Sequence, residues 1–98
     1  MSAHPWLPPV DKTHGTHRNR ITCADGFNVS VQASKYHYCA PRHSGLSEYD
    51  SFELGYPSAA DDLITPYAED SDNLTQTVYG YVPADVVSAL IAKHGGAQ

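Results

Sequence analysis

The C-terminal end of this chain predicts a strand that leads directly into a helix, and this unit restricts the possible folds more than any other segment. Residues 77–82 are β-branched and aromatic, which is typical of a β-strand. Pro83 ends the strand because proline has no N–H for a sheet ladder. Residues 84–94 carry an apolar stripe at helical spacing, formed by Val86, Val87, Leu90 and Ile91.

A helix that follows its strand without a loop packs back onto the same sheet. We therefore expect the stripe to cover the face that carries Val78 and Val82. Because side chains alternate along a strand, Tyr79 and Tyr81 are expected on the opposite face. There they would form an exposed aromatic patch near Glu53, or lie half-buried under loops.

Further strands are predicted upstream of this unit. Residues 27–34 and 51–56 alternate apolar and polar side chains, as strands with one buried face do. Residues 36–39 predict a shorter strand, and residues 58–63 a helical turn that Pro66 prevents from continuing. The fold class is therefore α+β: a small antiparallel sheet of three to four strands packed on one C-terminal helix, with a flexible N-terminal tail.

The domain boundary is expected near residue 21. Residues 1–20 show no strand or helix period and predict a disordered or loosely docked tail, anchored by Trp6. Residues 21–98 predict a single α+β domain. No apolar run approaches the roughly 18 residues of a membrane span, and the N-terminus lacks a signal-peptide core, so a cytoplasmic location is expected.

Charge is divided unevenly along the chain. Residues 1–42 carry a net charge of +3 and residues 43–98 a net charge of −8, which sum to the formal −5. No Lys or Arg occurs between residues 43 and 92. Eight of the chain's carboxylates lie between residues 48 and 72: Glu48, Asp50, Glu53, Asp61, Asp62, Glu69, Asp70 and Asp72.

This acidic segment disfavours direct nucleic-acid binding, because phosphate contacts need Lys and Arg. An ordered array of carboxylates can instead imitate phosphates and occupy a basic groove on another protein. The plainer alternative is an acidic surface that only keeps the protein soluble. We expect the eight carboxylates, with Tyr79 and Tyr81, to bind the partner.

Chemistry at the cysteines is a second hypothesis. Cys23, His37, Cys39 and His43 are suitable zinc ligands, but their spacing fits no known zinc motif, and two buried thiols with two surface histidines are the favoured explanation. Cys39 with His37 or His43 lacks any sign of an oxyanion hole. The predictions are therefore no enzyme, no cofactor and no bound metal, with a small metal-binding or regulatory module as the alternative.

Several strings resemble small uncharacterised proteins encoded in proteobacterial phages and mobile elements. They are Asp-Gly-Phe-Asn-Val-Ser-Val-Gln-Ala (25–33), Tyr-His-Tyr-Cys-Ala-Pro-Arg (36–42), Glu-Leu-Gly-Tyr-Pro-Ser (53–58), Tyr-Ala-Glu-Asp (67–70), Thr-Val-Tyr-Gly-Tyr-Val-Pro (77–83) and His-Gly-Gly (94–96). The resemblance covers residues 21–96. Small acidic proteins of this kind are similar in class to anti-CRISPR proteins. The resemblance implies a non-enzymatic inhibitor that binds a CRISPR–Cas effector and blocks target DNA, or alternatively a phage accessory protein that self-associates through its sheet edge.

Overall fold

The computed structural model describes residues 4–11, 13 and 15–98. Its elements are strands β1 (Ile21–Thr22), β2 (Asn28–Gln32), β3 (Ser51–Gly55) and β4 (Val78–Pro83), a 3-10 helix (Thr65–Tyr67) and helix α1 (Ala84–Lys93). The strands form one antiparallel sheet in the order β1-β2-β3-β4. The predicted α+β architecture, with a small antiparallel sheet and one C-terminal helix, is confirmed.

The core lies between the sheet and α1. Val87, Leu90 and Ile91 of the helix are buried, whereas Val86 is only half-buried. Facing them are fully buried side chains from three strands: Val29, Val31, Phe52, Leu54 and Val82. The helix returns onto its own sheet because α1 begins at the residue that follows β4.

Two local predictions are wrong. Residues 36–39 form turns instead of a strand, and only Ala40 bridges to the sheet, at Ser51. The helical turn predicted at 58–63 is displaced to the 3-10 helix at Thr65–Tyr67, which contains Pro66 in its first turn. Proline is tolerated there because the first N–H groups of a helix have no partner within it.

The N-terminal segment packs on the sheet in its described part. The Trp6 ring lies 5.2 Å from the Phe52 ring, and Trp6 Nε1 donates a hydrogen bond to Ser88 Oγ at 2.9 Å. His4 Nε2 accepts from the backbone N–H of Tyr49 at 3.0 Å. Of the predicted tail, residues 1–3, 12 and 14 lie outside the described residues.

Both outer strands of the sheet already have backbone partners. Gln98 N donates to Thr22 O of β1 at 2.8 Å. On the other side, Glu69 N donates to Val78 O of β4 at 3.0 Å. These contacts occupy groups that another chain would need for edge-to-edge pairing, and self-association through a sheet edge therefore gains no support.

Candidate functional site

The acidic segment is mostly at the surface. Six of its carboxylate residues are exposed and Glu53 is half-buried, the exposed ones being Glu48, Asp50, Asp62, Glu69, Asp70 and Asp72. Within the described chain none of these seven side chains lies in an ion pair. Their charge is therefore not neutralised by the Lys and Arg side chains that the structure describes.

The carboxylates do not converge on one spot. Asp50 precedes β3 and accepts a hydrogen bond from Ala84 N through its carbonyl oxygen, so it lies where α1 begins. Glu69 is held at Val78, which pairs with Gly55 at the far end of β3. The five residue steps from Asp50 to Gly55 span about 17 Å at about 3.4 Å per residue. We call Glu48 and Asp50 the helix-end group and Glu69, Asp70 and Asp72 the loop group.

Asp61 does not belong to the exposed acidic surface, contrary to the prediction. Its side chain is 3% exposed, and its carboxylate accepts from Lys93 Nζ at 3.0 Å and from His94 Nε2 at 2.9 Å. Leu63 N donates to the same carboxylate at 2.9 Å. Burial raises the pKa of Asp61, but these hydrogen bonds outweigh it and leave the pKa below its ordinary value of 3.8. Because the Asp61 charge is buried and paired inside the protein, it is not available to contact a partner.

His94 connects Asp61 to the turn that precedes β2. Its Nδ1 lies 2.6 Å from Asp25 Oδ2, and its ring stacks on Phe27 with centroids 4.0 Å apart. The hydrogen bonds to Asp25 and then to Asp61 raise the pKa of His94 above its ordinary 6.5. The two carboxylates thus favour the protonated ring, and His94 joins the end of α1 to two loops.

The loop group includes one carboxylate with a local structural role. Asp70 accepts hydrogen bonds from Asn73 Nδ2 at 2.9 Å and from Asp72 N at 3.1 Å. These contacts, the Asn73 side chain first, lower the pKa of Asp70. Glu69 and Asp72 make no such side-chain contact, so they are the members free to meet a partner.

A bulge in β4 separates the two tyrosines that were expected on one face. Leu54 of β3 pairs with Tyr79, while Phe52 pairs with Val82, so β4 has one residue more than β3 between these pairs. The extra residue shifts the side-chain alternation. Tyr79 is 1% exposed and packs in the core with Val82, whereas Tyr81 is 49% exposed. The prediction that Tyr79 lies on a partner-binding surface is wrong.

Tyr81 has a backbone conformation that non-glycine residues rarely adopt. Its φ is +53°, in the left-handed region. Its N–H leaves the sheet ladder and donates to Tyr38 O at 3.0 Å. The Tyr38 and Tyr81 rings lie 6.1 Å apart, and Arg42 lies 5.7 Å from the centroid of the Tyr38 ring. We call Tyr38, Tyr81 and Arg42 the tyrosine platform.

Sequence reasoning missed Tyr38 and Arg42, because it placed residue 38 in a strand and treated the basic half as separate from β4. The available signal was composition: residues 35–43 combine tyrosines with basic residues. Next to the platform, Tyr36 is 68% exposed and Lys35 Nζ lies 5.2 Å from its ring centroid. The fold brings this loop against the bulge of β4.

The four possible zinc ligands are not brought together. No group of three or more His, Cys, Asp or Glu side chains among residues 4–11, 13 and 15–98 is arranged to hold a metal ion. Cys39 is buried and its Sγ donates to Ser34 O at 3.2 Å, while His37 Nδ1 lies 2.7 Å from Ser34 Oγ. Burial raises the pKa of both Cys39 and Cys23. Neither thiol has the lowered pKa of a nucleophile.

Comparison with known proteins does not assign the chain to a family. No protein-family model matches the chain, and no curated protein or solved structure matches it significantly. The resemblance to phage-encoded proteins therefore stays a prediction. In the described part of the chain, no helix has the length and apolar character needed to cross a bilayer.

Proposed function

We propose that this chain is a non-enzymatic protein that binds and inhibits a nucleic-acid-handling complex through its acidic surface. The partner class that the resemblance implies is a CRISPR–Cas effector in the cytoplasm of a bacterial host. The carboxylates would occupy a basic groove that otherwise holds target DNA.

The observation that carries this proposal is the set of seven carboxylates without a cationic partner within the described chain. Unpaired surface charges of one sign raise the rate at which an oppositely charged partner is met. The separation of the helix-end group from the loop group implies a contact that extends along β3, not a single point. Tyr81 is the tyrosine able to supply packing in this contact.

The test measures target-DNA binding by a panel of purified, guide-loaded CRISPR–Cas effectors in an electrophoretic mobility shift assay. Wild-type protein in tenfold molar excess is expected to abolish the DNA shift of at least one effector. Glu69→Gln with Asp72→Asn is expected to weaken inhibition, and so is an increase in salt, because both reduce electrostatic attraction. Asp70 is left unchanged since it holds its own loop together.

A charge-matched control separates this effect from net charge. The control is Asn19→Lys with Thr22→Lys, which changes two exposed residues outside the acidic segment of the sequence. Each pair changes the formal net charge by +2, from −5 to −3. If both double variants lose inhibition equally, the loop group is not the contact. If no effector in the panel loses DNA binding, the inhibitor proposal is wrong.

A further inference from the structure

The tyrosine platform presents aromatic rings and cations together at the surface. Tyr38 is 43% exposed and Tyr81 is 49% exposed, an unusual state for large rings beside each other. Arg42 approaches the Tyr38 ring, and Lys35 the ring of Tyr36. Lys35 and Arg42, which flank the tyrosines in the chain, are both exposed.

The loop that carries Tyr38 is fixed from several sides. Ser34 accepts the Tyr36 N–H at its Oγ and the Cys39 thiol at its carbonyl oxygen. Glu53 Oε1 accepts the Tyr38 N–H at 3.1 Å. On strand β4, a Cβ placed on Gly80 would lie 3.4 Å from Tyr38 Cβ, so the loop packs closely against this strand. Little ordering entropy remains to be lost when a ligand binds these rings.

The backbone conformation of β4 also places Tyr81 beside this loop. A non-glycine residue at positive φ is unfavourable, and such residues persist where the surrounding structure holds them and often where function needs them. At Tyr81 the bulge turns the side chain out of the sheet and beside Tyr38. Both rings stay about half exposed in this arrangement.

We propose that the tyrosine platform, with Tyr36 and Lys35 beside it, binds single-stranded nucleic acid. Exposed aromatic rings stack on unpaired bases irrespective of sequence, and Arg and Lys next to them contact the phosphates. This inference does not rest on the proposed inhibitor function. It departs from the expectation of no direct nucleic-acid contact, which counted the cations of residues 43–92 and did not include Arg42 beside the Tyr38 ring or Lys35 beside the Tyr36 ring.

The nearby carboxylates set the character of the binding. Glu53 lies beneath the platform, and Asp50 N donates to Ala40 O close to Arg42 in the chain. Two cations against two carboxylates leave little net positive charge. Stacking is therefore the main source of affinity, and a dissociation constant on the order of 100 μM is expected. The salt dependence is shallow, with a log–log slope of about −1.4 if two phosphates are neutralised.

The test is fluorescence anisotropy of labelled dT12 and rU12 titrated with the full chain at low salt. Saturable binding of either oligonucleotide is expected, and the two arms distinguish DNA from RNA through the ribose 2′-hydroxyl. Tyr38→Ala is expected to weaken binding by roughly 5- to 100-fold, the loss of one stacked base. Tyr81→Asn should act similarly, and asparagine is suited to the positive φ at this position.

Matched variants keep the result interpretable. Tyr38→Phe retains the ring and is expected to bind within about twofold of wild type, because the π-face does the stacking. Tyr56→Asn removes another exposed tyrosine at positive φ, at the other end of β3, and should leave binding unchanged. Circular dichroism establishes that each variant is folded.

Absence of saturable binding to both oligonucleotides up to 1 mM protein would overturn the proposal. So would binding that survives Tyr38→Ala with Tyr81→Asn in a folded protein. If the same double variant loses inhibition of an effector while wild type binds neither oligonucleotide, the platform is a protein interface and the nucleic-acid assignment is wrong. The two proposals can fail separately, because Glu69→Gln with Asp72→Asn is expected to weaken inhibition and to leave oligonucleotide binding unchanged.

Discussion

Replacing Asp61 by asparagine tests whether the buried carboxylate holds the end of α1 to the rest of the molecule. The substitution keeps the shape of the side chain and the hydrogen bond from Leu63 N, but it removes the negative charge. Lys93 and His94 then lose the carboxylate that both contact. We expect the variant to fold with a lower free energy of unfolding.

The size of the loss follows from the surroundings of each group. Breaking a buried ion pair costs about 3–5 kcal/mol where the remaining charge is trapped. Lys93 is not trapped, since its side chain is 52% exposed and can turn into water. His94 retains Asp25 as a partner. We therefore expect a loss of about 3 kcal/mol near pH 6, equivalent to a fall in Tm of about 15 °C for a domain of this size.

The effect depends on pH in a defined direction. The pKa of His94 is raised in the folded state, so its contribution is complete below the ordinary value of 6.5 and is lost as pH rises through the folded pKa. The pKa of Asp61 is lowered, so its contribution is present above 3.8 and is lost as pH falls through the folded pKa. The difference between wild type and Asp61→Asn is therefore largest between about pH 4 and 6.5.

Urea denaturation followed by circular dichroism at pH 5.5 and pH 9 measures this difference. It should shrink towards pH 9, because the contribution of His94 is lost as the pH rises through its folded pKa. Asp62→Asn is the control, since Asp62 is exposed beside Asp61 and should change stability by less than about 0.5 kcal/mol. A loss below about 0.5 kcal/mol at pH 5.5 for Asp61→Asn, or a loss equal at both pH values, would refute the reasoning.

Three more outcomes can be measured. A Cβ on Gly95 would lie 2.8 Å from a neighbouring side-chain carbon, so Gly95→Ala should lower stability by about 2 kcal/mol, against about 1 kcal/mol for Gly26→Ala, where space is open. Equal losses in urea denaturation would contradict this close approach. Trp6→Ala should lower the unfolding free energy by about 2 kcal/mol if the N-terminal segment packs as described, and an unchanged urea midpoint would disprove that packing. Because Cys23 and Cys39 are buried with raised pKa, Ellman's reagent should label both only after unfolding, and rapid labelling of the native protein would contradict their burial.

Local sequence patterns predicted the elements that depend on short-range periodicity. Alternation at 27–34 and 51–56 marked β2 and β3, and the apolar stripe of residues 84–94 marked α1. Each pattern reflects which side of one element faces the core, so it can be read from neighbouring residues alone. The same information gave the α+β class, because a helix that directly follows a strand has only its own sheet to cover.

Local sequence patterns did not predict which charged and aromatic side chains lie at the surface. Asp61 carries the same charge as Asp62, yet it is neutralised by His94, 33 residues away in the chain. Tyr79 and Tyr81 share a strand, yet one extra residue in β4 sends one to the core and the other to solvent. Each outcome depends on a partner or a register that lies outside the local segment.

The sequence by itself therefore determined strands β2, β3 and β4, the helix, their layering and the presence of a strongly acidic segment. Only the tertiary structure decided which carboxylates remain unpaired, and that the helix-end group and the loop group lie at opposite ends of β3. It also placed Tyr38 beside Tyr81, and Arg42 beside the Tyr38 ring. The physical reason is range: periodicity acts over neighbouring residues, whereas ion pairs, bulges and loop docking join groups that only the folded chain brings within contact distance.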